Sequence, residues 1–330
     1  MSYHAGWQGS LPQGCRESDH RVDSAGASLF VRQWLPAGEP TAVVQLVHGM
    51  CEHSERYRHV AGALAQRGWA VVAHDHRGHG YTAAGPGELG FFAEHGGWRR
   101  VLDDVYAVAE HARGLCPGGP HALVGHSMGS FLAQQYAIER GAELGALVLS
   151  GTDARSDAGP RAGSWLAAAI AALRGPRHRS TLVDRLTTGS FARRFPDRRS
   201  EAEWVSRDSA VVEAYDRDPL CGFTPTVTMW RDILQGVYFI GRPENRRRVP
   251  AGLPVQLLAG GEDPLSDGGK RVHGLADAYR SGGLGDVSVN IYPGARHEVF
   301  NETNRQTVCL DMARWLEERL GPAVPSEAAH

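Results

Sequence analysis

The sequence has no long apolar segment, no paired cysteines and almost no net charge, and each absence excludes a class of protein. No run of about 18 apolar residues occurs, so a membrane-spanning helix is not expected. The five cysteines are scattered and form no C-x-x-C pair, which argues against a disulfide framework and against a zinc site. A formal net charge of −2 supplies no field to attract nucleic acid, so a nucleic-acid partner is not expected.

The N-terminal region also lacks the apolar core of a signal peptide. Charged residues stand at Arg16, Glu17, Asp19 and Arg21, where a signal peptide would be apolar, so we expect a cytoplasmic protein. A content of 42% hydrophobic and 22% charged residues is ordinary for a globular protein with a sizeable core. At 330 residues, one catalytic domain with an inserted subdomain fits the length.

Short apolar runs alternate with helical patterns, which is typical of a mostly parallel α/β sheet flanked by helices. We predict an N-terminal strand over Ser28–Leu35, hairpin-paired at the sheet edge. The other predicted strands are Ala42–Val47, Ala70–Ala73, His121–Val124, Ala146–Leu149, Val255–Ala259 and Val287–Tyr292. Predicted helices cover Glu55–Arg67, Trp98–Arg113, Lys270–Tyr279 and Asn304–Leu320, in which apolar residues recur every three or four positions.

The alternation lapses after Gly151, which predicts an inserted, mainly helical cap. The predicted division is an N-terminal extension at 1–24, core at 25–152, cap at 153–240, core again at 241–320 and a flexible tail at 321–330.

Two segments of the cap bear on contact with a membrane surface. Trp165–Leu173 is almost entirely apolar, and it predicts either a helix over a hydrophobic pocket mouth or a buried cap helix. Residues 155–199 hold ten Arg and three acidic residues, which would attract anionic lipid or an anionic substrate, or else form a solvated basic face.

The strongest chemical feature is a G-x-S-x-G motif at Gly125–Gly129. It stands directly after a predicted strand and before a helical pattern at 131–139, which is the context of a nucleophile elbow. A turn of this kind holds the serine in a strained conformation that exposes its hydroxyl. Ser127 is therefore the predicted nucleophile.

A serine hydroxyl needs a base within reach and an acid that fixes the tautomer of the base. Asp263 follows a predicted strand and is the expected acid, with Glu262 and Asp267 as rivals in the same loop. His297 follows the next strand and is the expected base. The order serine, aspartate, histidine is that of the α/β-hydrolase fold.

The transition state also needs two backbone N–H groups directed at the carbonyl oxygen. The N–H of Met128, directly after the nucleophile, is one expected donor. The other is the N–H of Met50, in the loop after the first buried strand.

Four motifs together carry a family resemblance. They are H-G-M-C-E-H-S-E-R-Y at 48–57, D-H-R-G-H-G at 75–80, G-H-S-M-G at 125–129 and A-R-H-E at 295–298. The set resembles the motifs of monoacylglycerol lipases and their bacterial lysophospholipase-like relatives, in a match that runs from about residue 25 to residue 320. The first motif is the most specific of the four.

The resemblance implies an α/β-hydrolase that cleaves a small lipid ester of a single acyl chain, without a cofactor. It also implies that Glu52, Arg56 and Tyr215 line a polar pocket for the glycerol end. Glu52 and Arg56 have an alternative role as an internal ion pair that stiffens the oxyanion loop. Lysophospholipase, proline iminopeptidase-like peptidase, acyltransferase and non-catalytic ligand binding stay open as alternatives for the function.

Three histidines, His74, His76 and His79, invite a metal interpretation. No carboxylate or cysteine set stands with them at ligand spacing, so we expect a loop scaffold and no metal.

Overall fold

The computed structural model describes residues 11–153, 155 and 157–321. In this part of the chain the strands form a single sheet of eight. They are β1 (Arg16–Ser24), β2 (Ala27–Leu35), β3 (Ala42–Val47), β4 (Trp69–His74), β5 (His121–His126), β6 (Ala146–Ser150), β7 (Val255–Gly260) and β8 (Val287–Tyr292).

The sheet is mostly parallel. Its strand order is β1-β2-β4-β3-β5-β6-β7-β8, with β3 to β8 parallel and β2 antiparallel to both β1 and β4. Every residue of β3, β4, β5, β6 and β7 is buried. Strands covered on both faces have no polar face, which is why they appear in the sequence as continuous apolar runs.

Helices cover both faces of the sheet. The core helices are α1 (Arg58–Ala65), α2 (Gly97–Arg113), α3 (Met128–Arg140), α10 (Lys270–Ser281) and α11 (Arg305–Leu320). Leu102, Leu132 and Leu275 belong to the apolar cluster that joins α2, α3 and α10 to one face. Leu64 and Leu316 belong to the cluster that joins α1 and α11 to the other face. Burial of each such side chain contributes about 1.5–3 kcal/mol.

The connection from β6 to β7 is helical in its described residues. It contains α4 (Gly159–Arg174), α5 (Thr181–Leu186), α6 (Gly189–Ala192), α7 (Ser209–Arg217), α8 (Val227–Gly241) and α9 (Pro243–Arg246). Helix α8 packs against α4 and also against α2 and α3, so it joins the inserted helices to the core. Helix α4 covers the apolar segment Trp165–Leu173 and is not the fully buried cap helix that was one of the two expectations, because Trp165 is 63% and Leu173 is 83% exposed.

The α/β-hydrolase fold is confirmed, with two differences in its elements. The strand predicted at the sheet edge is β2, and the hairpin partner is β1, which pairs with it from Arg16 to Ser24, so part of the predicted N-terminal extension belongs to the sheet. The helix predicted from Glu55 begins as a 3₁₀ turn over Ser54–Tyr57 and becomes α-helical at Arg58. The division into core and cap stays a prediction, and its tail lies outside the described residues except for Gly321. No helix in the described part of the chain is long and apolar enough to cross a membrane.

Candidate active site

Ser127 lies in the sharp turn between β5 and α3. Its backbone has φ 51° and ψ −119°, a strained combination for an L residue that costs on the order of 1–3 kcal/mol. A Cβ at Gly125 would collide with the backbone of Gly129, and a Cβ at Gly129 would collide with the carbonyls of residues 47–48 at the end of β3. The Ser127 N–H donates to the Ser150 carbonyl at 2.9 Å. The end of β3 and the end of β6 therefore both hold this turn in place.

Asp263 and His297 come from loops at the carboxyl ends of β7 and β8 and form a buried pair. The His297 Nδ1 lies 2.9 Å from Asp263 Oδ1, and the two residues are 2% and 0% exposed. The same carboxylate oxygen accepts the Leu265 N–H at 2.9 Å. The rival Glu262 is exposed, and the rival Asp267 binds Arg194 at the surface.

The charges of this pair favour proton uptake by the imidazole. Burial by itself would lower the pKa of His297, but Asp263, with Glu298 and Glu52 beyond it, raises that pKa above the ordinary value. Burial would raise the pKa of Asp263, whereas His297 and the Leu265 N–H hold it below its ordinary value. An ionised carboxylate thus faces a ring that readily takes a proton, as base and orienting acid require.

Two backbone N–H groups flank the serine. Met128 is the first residue of α3, and the first N–H groups of a helix have no acceptor within it. Among the described residues the Met50 N–H donates no backbone hydrogen bond. A Cβ at Gly49 would lie only 3.2 Å from the Ser127 Cβ, so the loop carrying Met50 passes directly beside the serine. This arrangement can hold an oxyanion.

Glu52 and Arg56 form an internal ion pair, which is the role that the sequence offered as an alternative to contact with the glycerol end of a substrate. The Arg56 Nη1 donates to Glu52 Oε2 at 2.6 Å, and Glu52 Oε1 accepts the Gly49 N–H at 2.5 Å and the Tyr57 hydroxyl at 2.8 Å. Arg56 is fully buried and does not line the cavity beside Ser127, whereas Glu52 does.

Tyr215 supports the same loop from α7. Its hydroxyl donates to the Cys51 carbonyl at 3.0 Å, and the Arg56 guanidinium lies 4.9 Å from its ring centroid. Cys51 has a left-handed φ of 58°, so this turn needs outside support. Tyr215 also lines the cavity, and contact of Tyr215 and Glu52 with a substrate headgroup stays a prediction.

The cavity beside Ser127 has a volume of about 610 Å³ and is bounded by the core and the inserted helices. Ser127 and His297 both line it. Its walls are largely apolar and include Phe131, Trp230, Ile233, Leu234 and Val237. Such a space suits an apolar chain better than a charged molecule.

Some residues at the site carry no signal in the sequence. Trp204 packs on the His297 ring with centroids 4.8 Å apart, and its carbonyl accepts the His297 N–H at 3.3 Å. The next carbonyl, of Val205, accepts the Glu298 N–H at 2.8 Å. No motif marks this segment of the insertion, so only the folded chain reveals it. Glu298 does lie within a noted motif, but Arg56, which binds both of its carboxylate oxygens, is distant in sequence.

Two groups of side chains bear on metal binding. His74, His76 and His79 are buried beside one another, and burial lowers the pKa of each ring, to about 4 for His74 and His79. Within the described ranges, one group brings three ligand-type atoms together, namely His53, Asp218 and Cys221. There the His53 Nε2 is hydrogen-bonded to Asp218 at 2.9 Å. Burial raises the pKa of the Cys221 thiol.

Comparison with known proteins agrees with this geometry. Residues 38–304 match the family described as "Serine aminopeptidase, S33". The monoacylglycerol lipase of Mycolicibacterium smegmatis is 31% identical over an alignment that covers 92% of this chain and 98% of the relative. The monoglyceride lipase of Mus musculus is 29% identical, with 92% and 91% covered. The crystal structure of a thermostable carboxyl esterase from Bacillus coagulans in complex with glycerol superposes with a TM-score of 0.85 at 26% identity, covering 94% of this chain and all of the esterase.

These similarities confirm the predicted resemblance, the fold and the enzyme class, a carboxylic ester hydrolase. The chain belongs to the serine aminopeptidase S33 family of α/β-hydrolases.

Proposed function

We propose that the protein is a serine hydrolase that cleaves the carboxylic ester of monoacylglycerols or similar single-chain lipids through an acyl-enzyme on Ser127. The proposal rests on one observation. The strained Ser127 and the base of the His297–Asp263 pair lie at the same largely apolar cavity. The names of the relatives, monoacylglycerol and monoglyceride lipases, support the substrate class.

Each step follows from a group already placed in the site. His297 takes the proton of the Ser127 hydroxyl, and the oxygen attacks the ester carbonyl. The N–H groups of Met50 and Met128 bind the oxyanion, while Asp263 stabilises the imidazolium. His297 returns the proton to the leaving alcohol, then activates the water that releases the fatty acid. Removal of an oxyanion donor typically lowers kcat by about 10²–10³-fold.

A peptidase is the second candidate, because carboxylates of the insertion reach the cavity. Asp184, Glu201 and Asp216 line it and could receive a free amino group of a peptide. Glu201 and Asp216 are exposed, and Glu201 binds Arg198 at 3.2 Å. The walls of the cavity are more apolar than polar, which favours an acyl chain over a charged amino terminus.

One assay separates these candidates. Purified wild type and Ser127→Ala would be compared on monoacylglycerols, lysophospholipids and amino-acid amides, with released fatty acid or amine as the readout. We expect serine-dependent turnover with monoacylglycerol preferred. Preference for lysophospholipid or amide would overturn the substrate class, and activity retained in Ser127→Ala would overturn the nucleophile. Ester formation with an added alcohol in place of hydrolysis would indicate an acyltransferase, and binding without turnover would indicate a ligand-binding protein.

We also propose that the inserted helices contact an anionic lipid surface. The large exposed apolar side chains of α4 and α5 are Trp165, Leu166, Leu173, Leu182 and Leu186. Exposed arginines at 161, 174 and 185 stand among them. Apolar side chains that insert beside cations are the pattern of an interfacial helix, and each cation near an anionic surface adds about 1 kcal/mol of attraction.

Co-sedimentation with vesicles tests this contact. Trp165→Ser with Leu173→Ser should reduce binding to vesicles that contain phosphatidylglycerol, and neutral vesicles should bind less than anionic ones. Leu310→Ser is the matched control, because Leu310 is 43% exposed on α11, outside the insertion. Equal binding by wild type and the double variant would contradict the proposal.

A further inference from the structure

Glu298, directly after His297, is held by a buried arginine. The Arg56 Nη1 and Nη2 donate to the two Glu298 oxygens at 2.7 and 2.5 Å. The Asn301 side-chain amide donates to Glu298 Oε2 at 3.0 Å. Arg56 is fully buried and Glu298 is 5% exposed. A bidentate contact fixes both distance and orientation, so the segment that carries the base is tied to Arg56.

The same guanidinium also holds the oxyanion loop, which is the loop after β3 that carries Met50. Its Nη1 donates to Glu52 Oε2 at 2.6 Å, and Glu52 Oε1 accepts the N–H of Gly49, the residue before Met50. Arg56 therefore bridges the loop after β3 and the loop after β8, which are far apart in the chain. These loops supply the expected oxyanion donor and the expected base.

We propose that Glu298 is a positioning residue. Its carboxylate, through Arg56 and Glu52, holds the oxyanion loop at the distance and orientation from His297 that the reaction needs. The inference rests on the proposed roles of His297 and Met50. It adds a reason for a carboxylate at position 298, which the hydrolytic triad itself does not need.

The charge of the network supports a role beyond packing. Two carboxylates, those of Glu298 and Glu52, share one guanidinium, so the trio has a formal excess of one negative charge. A buried negative charge near the base favours the imidazolium that forms when Ser127 loses its proton. Burial opposes this effect, but Glu298 and Glu52 add to Asp263 in raising the pKa of His297. The charged groups that raise the pKa of His297 are Asp263, Glu298 and Glu52, while His126 lies beside its ring with centroids 4.8 Å apart and Arg56 binds Glu298.

The test compares two variants that each remove one carboxylate charge from a buried, bidentate arginine pair. Glu298→Gln breaks the proposed link. Asp104→Asn is the control, since Arg77 donates to both Asp104 oxygens at 2.7 and 2.6 Å and neither side chain is hydrogen-bonded to the loop after β3 or the loop after β8 in the described part of the chain. Ester hydrolysis is measured as kcat and KM from pH 5 to 9, and melting curves confirm that each variant is folded.

We expect Glu298→Gln to lower kcat/KM by about ten- to a hundredfold, because a misplacement of about 1 Å remote from the chemistry costs up to about 10²-fold. The loss should lie mainly in kcat, and the acid limb of the pH profile should move to lower pH. Asp104→Asn should keep the wild-type kcat/KM and profile even if its melting temperature falls.

A Glu298→Gln profile that matches wild type or Asp104→Asn would overturn the inference. Ser127→Ala, assayed alongside, separates this outcome from a failure of the proposed function, because only the latter leaves that variant active. If Glu298→Gln does not fold, Asn301→Ala carries the test, since it removes one contact that orients the carboxylate and keeps every charge. A lower kcat with an unchanged acid limb would then support the inference, and an unchanged kcat would overturn it.

Discussion

Acidification should destabilise this protein through its buried histidines. His74 and His79 are both 0% exposed, and burial lowers the pKa of each to about 4, from an ordinary 6.5. Neither nitrogen of the His74 ring has a hydrogen-bond partner among the described residues. Below about pH 6.5 these two histidines therefore bind protons in the unfolded chain that they do not bind in the folded chain. This part of the stability is fully present above pH 6.5 and is lost as the pH falls from 6.5 towards 4.

The size of the effect follows from the two pKa values. At pH 5 an unfolded histidine is almost fully protonated, whereas the buried ring is still mostly neutral. Linkage then gives a loss of about 2 kcal/mol for each ring between pH 7.5 and pH 5. The loss depends little on the folded value, since any folded pKa well below 5 leaves the ring neutral at pH 5. His74 and His79 together should lower the free energy of unfolding by about 4 kcal/mol, a large share of the roughly 5–15 kcal/mol typical of a folded protein.

Urea denaturation at pH 7.5 and pH 5 measures this loss. In His74→Leu the fall in unfolding free energy between the two pH values should be about 2 kcal/mol smaller than in wild type. Carboxylates and the other histidines contribute to both proteins and cancel in this comparison. His273→Leu is the control, since His273 is exposed on α10, and it should retain the wild-type fall. An equal fall in His74→Leu and wild type would refute the reasoning.

Three further predictions concern the site. Asp263→Asn should lower kcat about 10⁴-fold with little change in KM, measured by steady-state ester hydrolysis, because His297 loses the partner that fixes its tautomer; a loss below tenfold would argue for another acid. Gly129→Ala should lower the free energy of unfolding by roughly 3 kcal/mol in urea titrations, because its Cβ collides with backbone carbonyls; wild-type stability would contradict the elbow geometry. Tyr215→Phe should lower kcat several-fold at constant KM, since it leaves the Cys51 carbonyl with only the hydrogen bond from the Gly222 N–H; a raised KM alone would instead indicate headgroup contact.

The parallel core could be predicted because its signals are local. Strands buried on both faces, such as β3 and β7, must be apolar throughout, and the turn at Ser127 needs glycines on either side. The edge was harder to predict. Strand β1 alternates exposed and half-buried residues and carries many charges, so it resembles a solvated segment until it pairs with β2.

The site itself was only partly predictable. Residue type and strand position selected Ser127, Asp263 and His297, since loops at the carboxyl ends of parallel strands meet at one edge of the sheet. The rivals of Asp263 were separated by burial, which depends on the packed chain.

The sequence by itself thus determined the fold, the candidate triad and the motifs. The reason is that the spacing of apolar residues, the residues of the turns and the order of the strands along the chain are all local properties of the sequence. Only the tertiary structure decided that Arg56 joins Glu52 to Glu298, that Trp204 packs on His297 and that Trp165 and Leu173 of α4 are exposed. The physical reason is distance along the chain. Contacts between residues far apart in sequence leave no local pattern, and they form only when the packed sheet and helices bring those residues together.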